Sequence, residues 1–147
     1  MFIREALKTD VPIIYRLQQQ MFEEDAIYGF VAEAVGQIEK SINPYFLVAE
    51  TGGEIIGFIS GDVYVGDGSA VVPQGEKYLE IENLYVAPEF RKQGVGGRLV
   101  DEALTKARRD GAAYATLYSA SKEVHGILRF YERRGFESWY VQMFQKL

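Results

Sequence analysis

The stretch Leu84–Leu99, LYVAPEFRKQGVGGRL, runs from the end of a β-rich segment through a basic, glycine-rich turn into an amphipathic helix. A helix's first N–H groups lack intrahelical partners and carry about half a positive charge, so they can grip a phosphate. Gly94, Gly96 and Gly97 admit close approach at that point, and Arg91, Lys92 and Arg98 add charge. Such glycines also serve simply to open a tight turn and pack a helix on a sheet. Spacing excludes two phosphate-binding classes. A P-loop needs Gly-Lys-Ser/Thr, whereas Arg98 and Leu99 follow Gly97; the dinucleotide fingerprint needs its third glycine where Leu99 stands.

Working outward, Lys77 to Ala87 reads as the strand that feeds this loop, and Pro88 ends it. The helix from about Gln93 carries the stripe Gly96, Leu99, Val100, Ala103, Leu104 and Ala107, with Gly111 placed for a left-handed C-terminal cap. Upstream, Tyr45–Glu50 and Glu54–Tyr64 flank Thr51, Gly52 and Gly53 as an antiparallel hairpin, and Gly66–Gly75 is a loop. Phe2–Glu5 is a short strand. Thr9 or Asp10 then caps a helix with Pro12 in its first turn and a stripe of Ile13, Ile14, Leu17 and Met21. A second stripe, Phe30, Val31, Ala34, Val35 and Ile38, ends before Pro44. Downstream, Tyr114–Tyr118 is a strand, and Ser121 caps a helix bearing Val124, Ile127, Leu128 and Tyr131 that Gly135 ends. The closing strand or strands fall within Phe136–Leu147. The order βααβββαβαβ predicts a single α/β (α+β) domain over residues 1–147: a mixed, mostly antiparallel central sheet flanked by helices.

At 147 residues with 48% hydrophobic and 25% charged side chains, the chain can bury roughly 68 to 70% of its unfolded surface in one core. The absence of Cys excludes disulfides, thiolate metal sites and a catalytic thiol, and a single His, His125, leaves too few ligands for zinc or haem. No metal is expected. No apolar run reaches the ~20 residues of a spanning helix, and Met1–Asp10 lacks a signal-peptide core, so no membrane partner and a cytoplasmic location are expected. The net charge of −5 divides into −8 over residues 1–76 and +3 over residues 77–147. That split suits a local anion in the second half, and its basic excess is too small for long nucleic acid.

Arg91, Gln93, Gly94 and Gly96 form an Arg-x-x-Gly-x-Gly motif preceded by Leu84-Tyr85-Val86-Ala87-Pro88, and Tyr131–Phe136 (YERRGF) supplies a late Tyr-x-x-x-Gly-Phe segment. In both motifs, and in element order and length, nearly the whole chain resembles the GNAT acetyltransferase superfamily. The resemblance implies acetyl-CoA as co-substrate, its pyrophosphate held by the backbone amides from Arg91 to Arg98, including those of Lys92, Gln93, Val95 and Gly97. It also implies that the main chain of Leu84, Tyr85 and Val86 binds the pantetheine arm. It further implies an acceptor site built from the first two helices, their connecting loop and late-strand residues. Relatives commonly carry Asn where this chain has Val124, so one cofactor hydrogen bond is expected to be missing.

Acetyl transfer to an amine needs the neutral amine, yet a lysine-like amine of pKa ~10.4 is mostly protonated at neutral pH. Strand alternation puts Glu80 and Glu82 on one face, with Leu84 and Val86 continuing it, so both carboxylates are general-base candidates. By resemblance Glu82 matches the base of polyamine-type members and Glu80 that of histone-type members; Glu82 is preferred. Tyr131 matches the family's general-acid tyrosine, whose phenol serves the departing thiolate, and it also suits a core aromatic. Glu23, Glu24, Asp25 and Glu33 in the acidic half favour a small cationic amine as acceptor. A protein N-terminal or lysine acetyltransferase and a non-catalytic acyl-CoA sensor are the alternatives. A homodimer is a further expectation, with Trp139–Phe144 (WYVQMF) serving either an interface or the sheet.

Overall fold

A computed structural model describes all 147 residues. Five strands form one sheet in the spatial order of the chain: β1 (Phe2–Glu5), β2 (Leu47–Thr51), β3 (Glu54–Val65), β4 (Lys77–Val86) and β5 (Tyr114–Leu117). Strands β1 to β4 pair antiparallel, and β5 adds parallel to β4. The change of sense follows from the connections. The Gly52–Gly53 turn joins β2 to β3 and the 66–76 loop joins β3 to β4, whereas β4 reaches β5 through the helix α3 (Val95–Arg109), a crossover long enough to restore direction.

Each face of the sheet is covered. Helix α3 lays Leu99, Val100, Ala103 and Ala107 on Leu47, Ala49, Ile59, Leu79 and Ile81, with α4 (Val124–Glu132) contributing Tyr131 to that core. On the opposite face α1 (Val11–Glu23) and α2 (Val35–Ser41) bring Ile14, Leu17, Met21 and Ile38 against Phe46, Val48, Phe58 and Tyr85. Gly111, at φ +93°, ends α3 as expected: its N–H bonds the Arg108 carbonyl and the Ala112 N–H bonds that of Ala107.

Several details depart from the expectations. Phe136–Leu147 contains no strand; apart from Phe136, which packs beside Tyr131, its apolar side chains lie exposed. Alternating apolar residues make a strand only where a partner offers a ladder, and this segment has none. The second helix is confined to Val35–Ser41, because the buried Gln18 side chain holds Glu33 at both its N–H (2.8 Å) and its carboxylate (2.9 Å), keeping Phe30–Ala34 out of the helix. Asp10 does not cap α1. Its carboxylate turns back to the Leu7 N–H (2.7 Å) and to the Arg4 guanidinium (2.6 and 3.1 Å).

Candidate active site

Beyond β4 a short 3-10 turn, Pro88–Phe90, delivers the chain to the glycine loop. Lys92 (φ +60°) and Gly94 (φ +80°) are both left-handed, a pattern that turns successive N–H groups toward a common concavity. From Lys92 through Gly97 no main-chain N–H donates within the protein; the Arg98 N–H is the first taken up, by the Gly94 carbonyl at 3.0 Å. These free donors sit at the positive end of a 15-residue helix, so the loop can hold a phosphorylated group. The glycines do different work. Gly94 supplies the left-handed conformation, while a side chain on Gly97 would displace the Arg134 guanidinium, which packs there between Asp101 and the Phe130 ring.

The loop cations are not equivalent. Arg91 folds back, donating from Nε to the Val86 carbonyl (2.8 Å) and from Nη2 to Glu24 (2.7 Å), and lies 5.3 Å above the Tyr85 ring. The Tyr85 hydroxyl donates to the same Glu24 oxygen. Partial burial works against charge on Glu24, but the hydrogen bonds from Arg91 and Tyr85 hold its carboxyl below the usual range. Lys92 has no carboxylate partner, and Arg98 reaches only the Met1 carbonyl at 3.5 Å. Lys92 and Arg98 are therefore the loop cations left free for an anion.

On β4 the register with β3 slips between Ser60 and Gly61, so Ser60 faces Asn83 and Gly61 faces Ile81, leaving Glu82 as the extra residue of a bulge. Gly61 permits this, because a Cβ there would run into the Glu80 carbonyl. The bulge changes the faces. Leu84 and Val86 pack on the α3 side with Leu79 and Ile81, whereas Tyr85 belongs to the α1 side. The uninterrupted alternation expected from Glu80 to Val86 is thus corrected: Glu80 and Glu82 are on one side and Leu84 and Val86 on the other. Pairing with β5 covers only Tyr78–Ile81, while pairing with β3 continues to Val86, so the main chain from Glu82 to Val86 has one free edge. Such an edge can pair with an extended amide-bearing ligand.

Glu82 lies at the start of that edge among like charges. Partial desolvation, then Glu80, Glu33 and Asp62, push its carboxyl above the usual range. None of these four acids is ion-paired. The acidic run after α1 is different, since Glu24 pairs with Arg91 and Asp25 with Lys122 (2.8 Å). The field over this face therefore comes from the sheet and Glu33 rather than from Glu24 and Asp25.

Tyr131 is 9% exposed on the α3 side, edge-on to Phe130 and Phe136. Burial pushes its phenol up to about 12, so at neutral pH it stays protonated and keeps a proton to donate in a hydrogen bond. Val124, in the first turn of α4, is exposed.

Two features escaped sequence reading. The reciprocal Gln18–Glu33 pair joins residues 15 apart that no pattern links. A cleft of about 300 Å³ opens beside Glu80, between the 66–72 loop, the end of β5 and the C-terminal segment. Its walls come from four separate regions, so only folding assembles them. No group of three or more His, Asp or Glu side chains is placed to hold a metal ion.

Residues 11–136 match the family described as acetyltransferase (GNAT). An uncharacterized N-acetyltransferase of Methanocaldococcus jannaschii is 30% identical over 93 residues, 63% of this chain but only 38% of that relative. Another, from Archaeoglobus fulgidus, is 27% identical over 129 residues, covering 80% of this chain and 81% of the relative. Among solved structures, an aminoglycoside acetyltransferase from an uncultured soil metagenomic sample, in complex with sisomicin, superposes with a TM-score of 0.71 at 19% identity, over 99% of this chain and 95% of that one.

Proposed function

The chain belongs to the acetyltransferase (GNAT) family, and from that membership we propose that it transfers an acetyl group from acetyl-CoA to the primary amine of a small cationic acceptor, by direct attack. Residues 1–147 would act as one catalytic domain. The observation that carries this reading is the juxtaposition on β4 of a free main-chain edge, an unpaired carboxylate of raised pKa at its start, and a nest of free N–H donors just beyond its end.

Acetyl-CoA supplies the activated acetyl thioester. The N–H groups of Lys92–Gly97, with the Lys92 and Arg98 side chains, would hold its pyrophosphate, and Arg91 keeps the strand end and the loop in register through Val86 and Glu24. Leu84, Tyr85 and Val86 offer main-chain partners for the pantetheine amides. Glu82, with Glu80 as its neighbour, draws the ammonium group in and removes its proton, directly or through water. Its raised pKa brings it closer to the working pH than an ordinary carboxylate's. Tyr131 acts as a neutral hydrogen-bond donor toward the departing sulfur. With a pKa near 12 against ~8.5 for a thiol, it is a poor source of a fully transferred proton.

The test joins binding to turnover. Acetyl-CoA at 100 times its dissociation constant adds ~2.7 kcal/mol and should raise the unfolding midpoint by roughly 5 to 10 °C, with NADH and ATP giving no comparable rise. Glu82→Gln should keep that rise, lower kcat about 100-fold, and abolish the acid limb on which wild-type activity falls as Glu82 is protonated. An unchanged kcat and pH profile would remove Glu82 from the mechanism.

A further inference from the structure

We propose that the cleft beside Glu80 is a subsite for an amine carried on a flat, apolar body, so that the acceptor is an aryl-alkylamine rather than a slender polyamine. This rests on the acetyltransferase reading and names its acceptor class. The cleft is lined by 14 residues, nine of them hydrophobic, and none is Lys or Arg. Tyr78 and Glu80 enter it from β4, Tyr118 from just beyond β5, and Trp139 and Tyr140 from the C-terminal segment. Register fixes their relation: Glu80 lies opposite Thr116, so Tyr118, two residues on, continues the same face toward Glu82.

The aromatic surface is uncovered. Tyr118 is 76% exposed and Trp139 and Tyr140 each 56%, with the last two rings 4.7 Å apart in an edge-on pair. Flat rings stack on such walls with little loss of conformational freedom, and an aromatic wall also attracts the ammonium end of the same molecule. Glu80 stands in the cleft with no hydrogen-bond or ion-pair partner in the protein and with Glu82 beyond it, whereas Asp67, the other lining carboxylate, keeps its charge but already accepts from the N–H and hydroxyl of Ser69 at 2.9 and 2.5 Å. A slender chain with several ammonium groups would leave the four aromatic side chains of the lining, Tyr78, Tyr118, Trp139 and Tyr140, without a flat surface to stack on. A single ammonium on a ring-bearing body meets a carboxylate and aromatic surface at once.

Trp139 is the only tryptophan of the chain, so its emission reports this cleft whether or not turnover occurs. The full-length protein is titrated with 2-phenylethylamine and with spermidine while Trp139 emission is followed, and CoA release is measured for the same amines in the presence of acetyl-CoA. A saturable emission change with 2-phenylethylamine alone is expected, together with kcat/KM at least about tenfold above that for spermidine. Trp139→Ala should raise KM for 2-phenylethylamine about tenfold with kcat within about twofold, and Trp139→Phe should restore it. An emission change without CoA release would uphold the subsite and overturn the transferase reading. CoA release with spermidine preferred, or no saturable change with 2-phenylethylamine, would overturn the subsite, and the former would leave the transferase reading standing.

Discussion

At the residue scale, Arg4 and Asp10 illustrate how a buried acid is held for structure, and Glu82 how one is left for chemistry. Asp10, 7% exposed, receives two bonds from Arg4 and one from the Leu7 N–H, while Arg4 also donates to Glu50 at 2.8 Å. The Arg4 hydrogen bond outweighs the cost of burial and keeps the Asp10 carboxyl below its ordinary value. A depressed carboxyl contributes stability that is complete above its unfolded pKa of ~4 and is lost as pH falls through the lower folded value. Asp10→Asn should therefore cost about 2 kcal/mol at neutral pH in urea unfolding, and its deficit relative to wild type should shrink below about pH 4. A deficit unchanged with pH would remove the ionic part of that argument. Glu82 differs because no cation answers it, and desolvation with like neighbours moves it the other way. Sequence named Glu82 through strand alternation and family position, with burial and its like-charged neighbour Glu80 expected to raise its pKa; the fold adds Glu33 and Asp62, far away along the chain, to the same upward shift.

At the element scale, the two ends of α3 use the same backbone device for different purposes. Gly94 at the N-terminal end and Gly111 beyond the C-terminal end both have positive φ, and neither has an atom within 4 Å of where a Cβ would stand. Replacing either by Ala should cost roughly 1 to 2 kcal/mol through backbone strain alone. Their effects on acetyl-CoA should differ. Gly94→Ala distorts the nest and should weaken binding about tenfold or more, whereas Gly111→Ala should leave affinity within about twofold. Calorimetric titration of both variants checks this, and equal affinities would show that the loop's conformation is incidental. Strand β4 offers the complementary case. Its extent was legible from β-rich residues bounded by Pro88, but its bulge was not, since it arises from the fit of Gly61 against the Glu80 carbonyl on the neighbouring strand.

At the scale of the whole molecule, charge is separated in space rather than by halves of the chain: the unpaired acids Glu33 and Asp62 of the first half join Glu80 and Glu82 of the second around β4, and free donors with Lys92 and Arg98 gather beyond its end. Screening should act on these fields. Raising ionic strength from about 0.01 to 0.15 M shortens the Debye length from ~30 to ~8 Å, so KM for a cationic amine should rise severalfold while KM for a neutral amine of similar shape stays nearly constant. Parallel changes for both amines would remove long-range attraction from the account. By itself the sequence determined the strand–loop–helix unit at Leu84–Leu99, the order of the five strands along the chain, the β2–β3 hairpin, the α3 stripe and its glycine cap, because these depend on neighbouring residues and on periods of two and 3.6. Tertiary structure alone decided that Glu24 and Asp25 are neutralised by Arg91 and Lys122, that Leu84 and Val86 change face at the bulge, and that Phe136–Leu147 remains without a strand. It also decided that Trp139 stands beside Glu80 at one cleft. Each of those outcomes turns on which distant groups meet, and a local pattern carries no record of the partner.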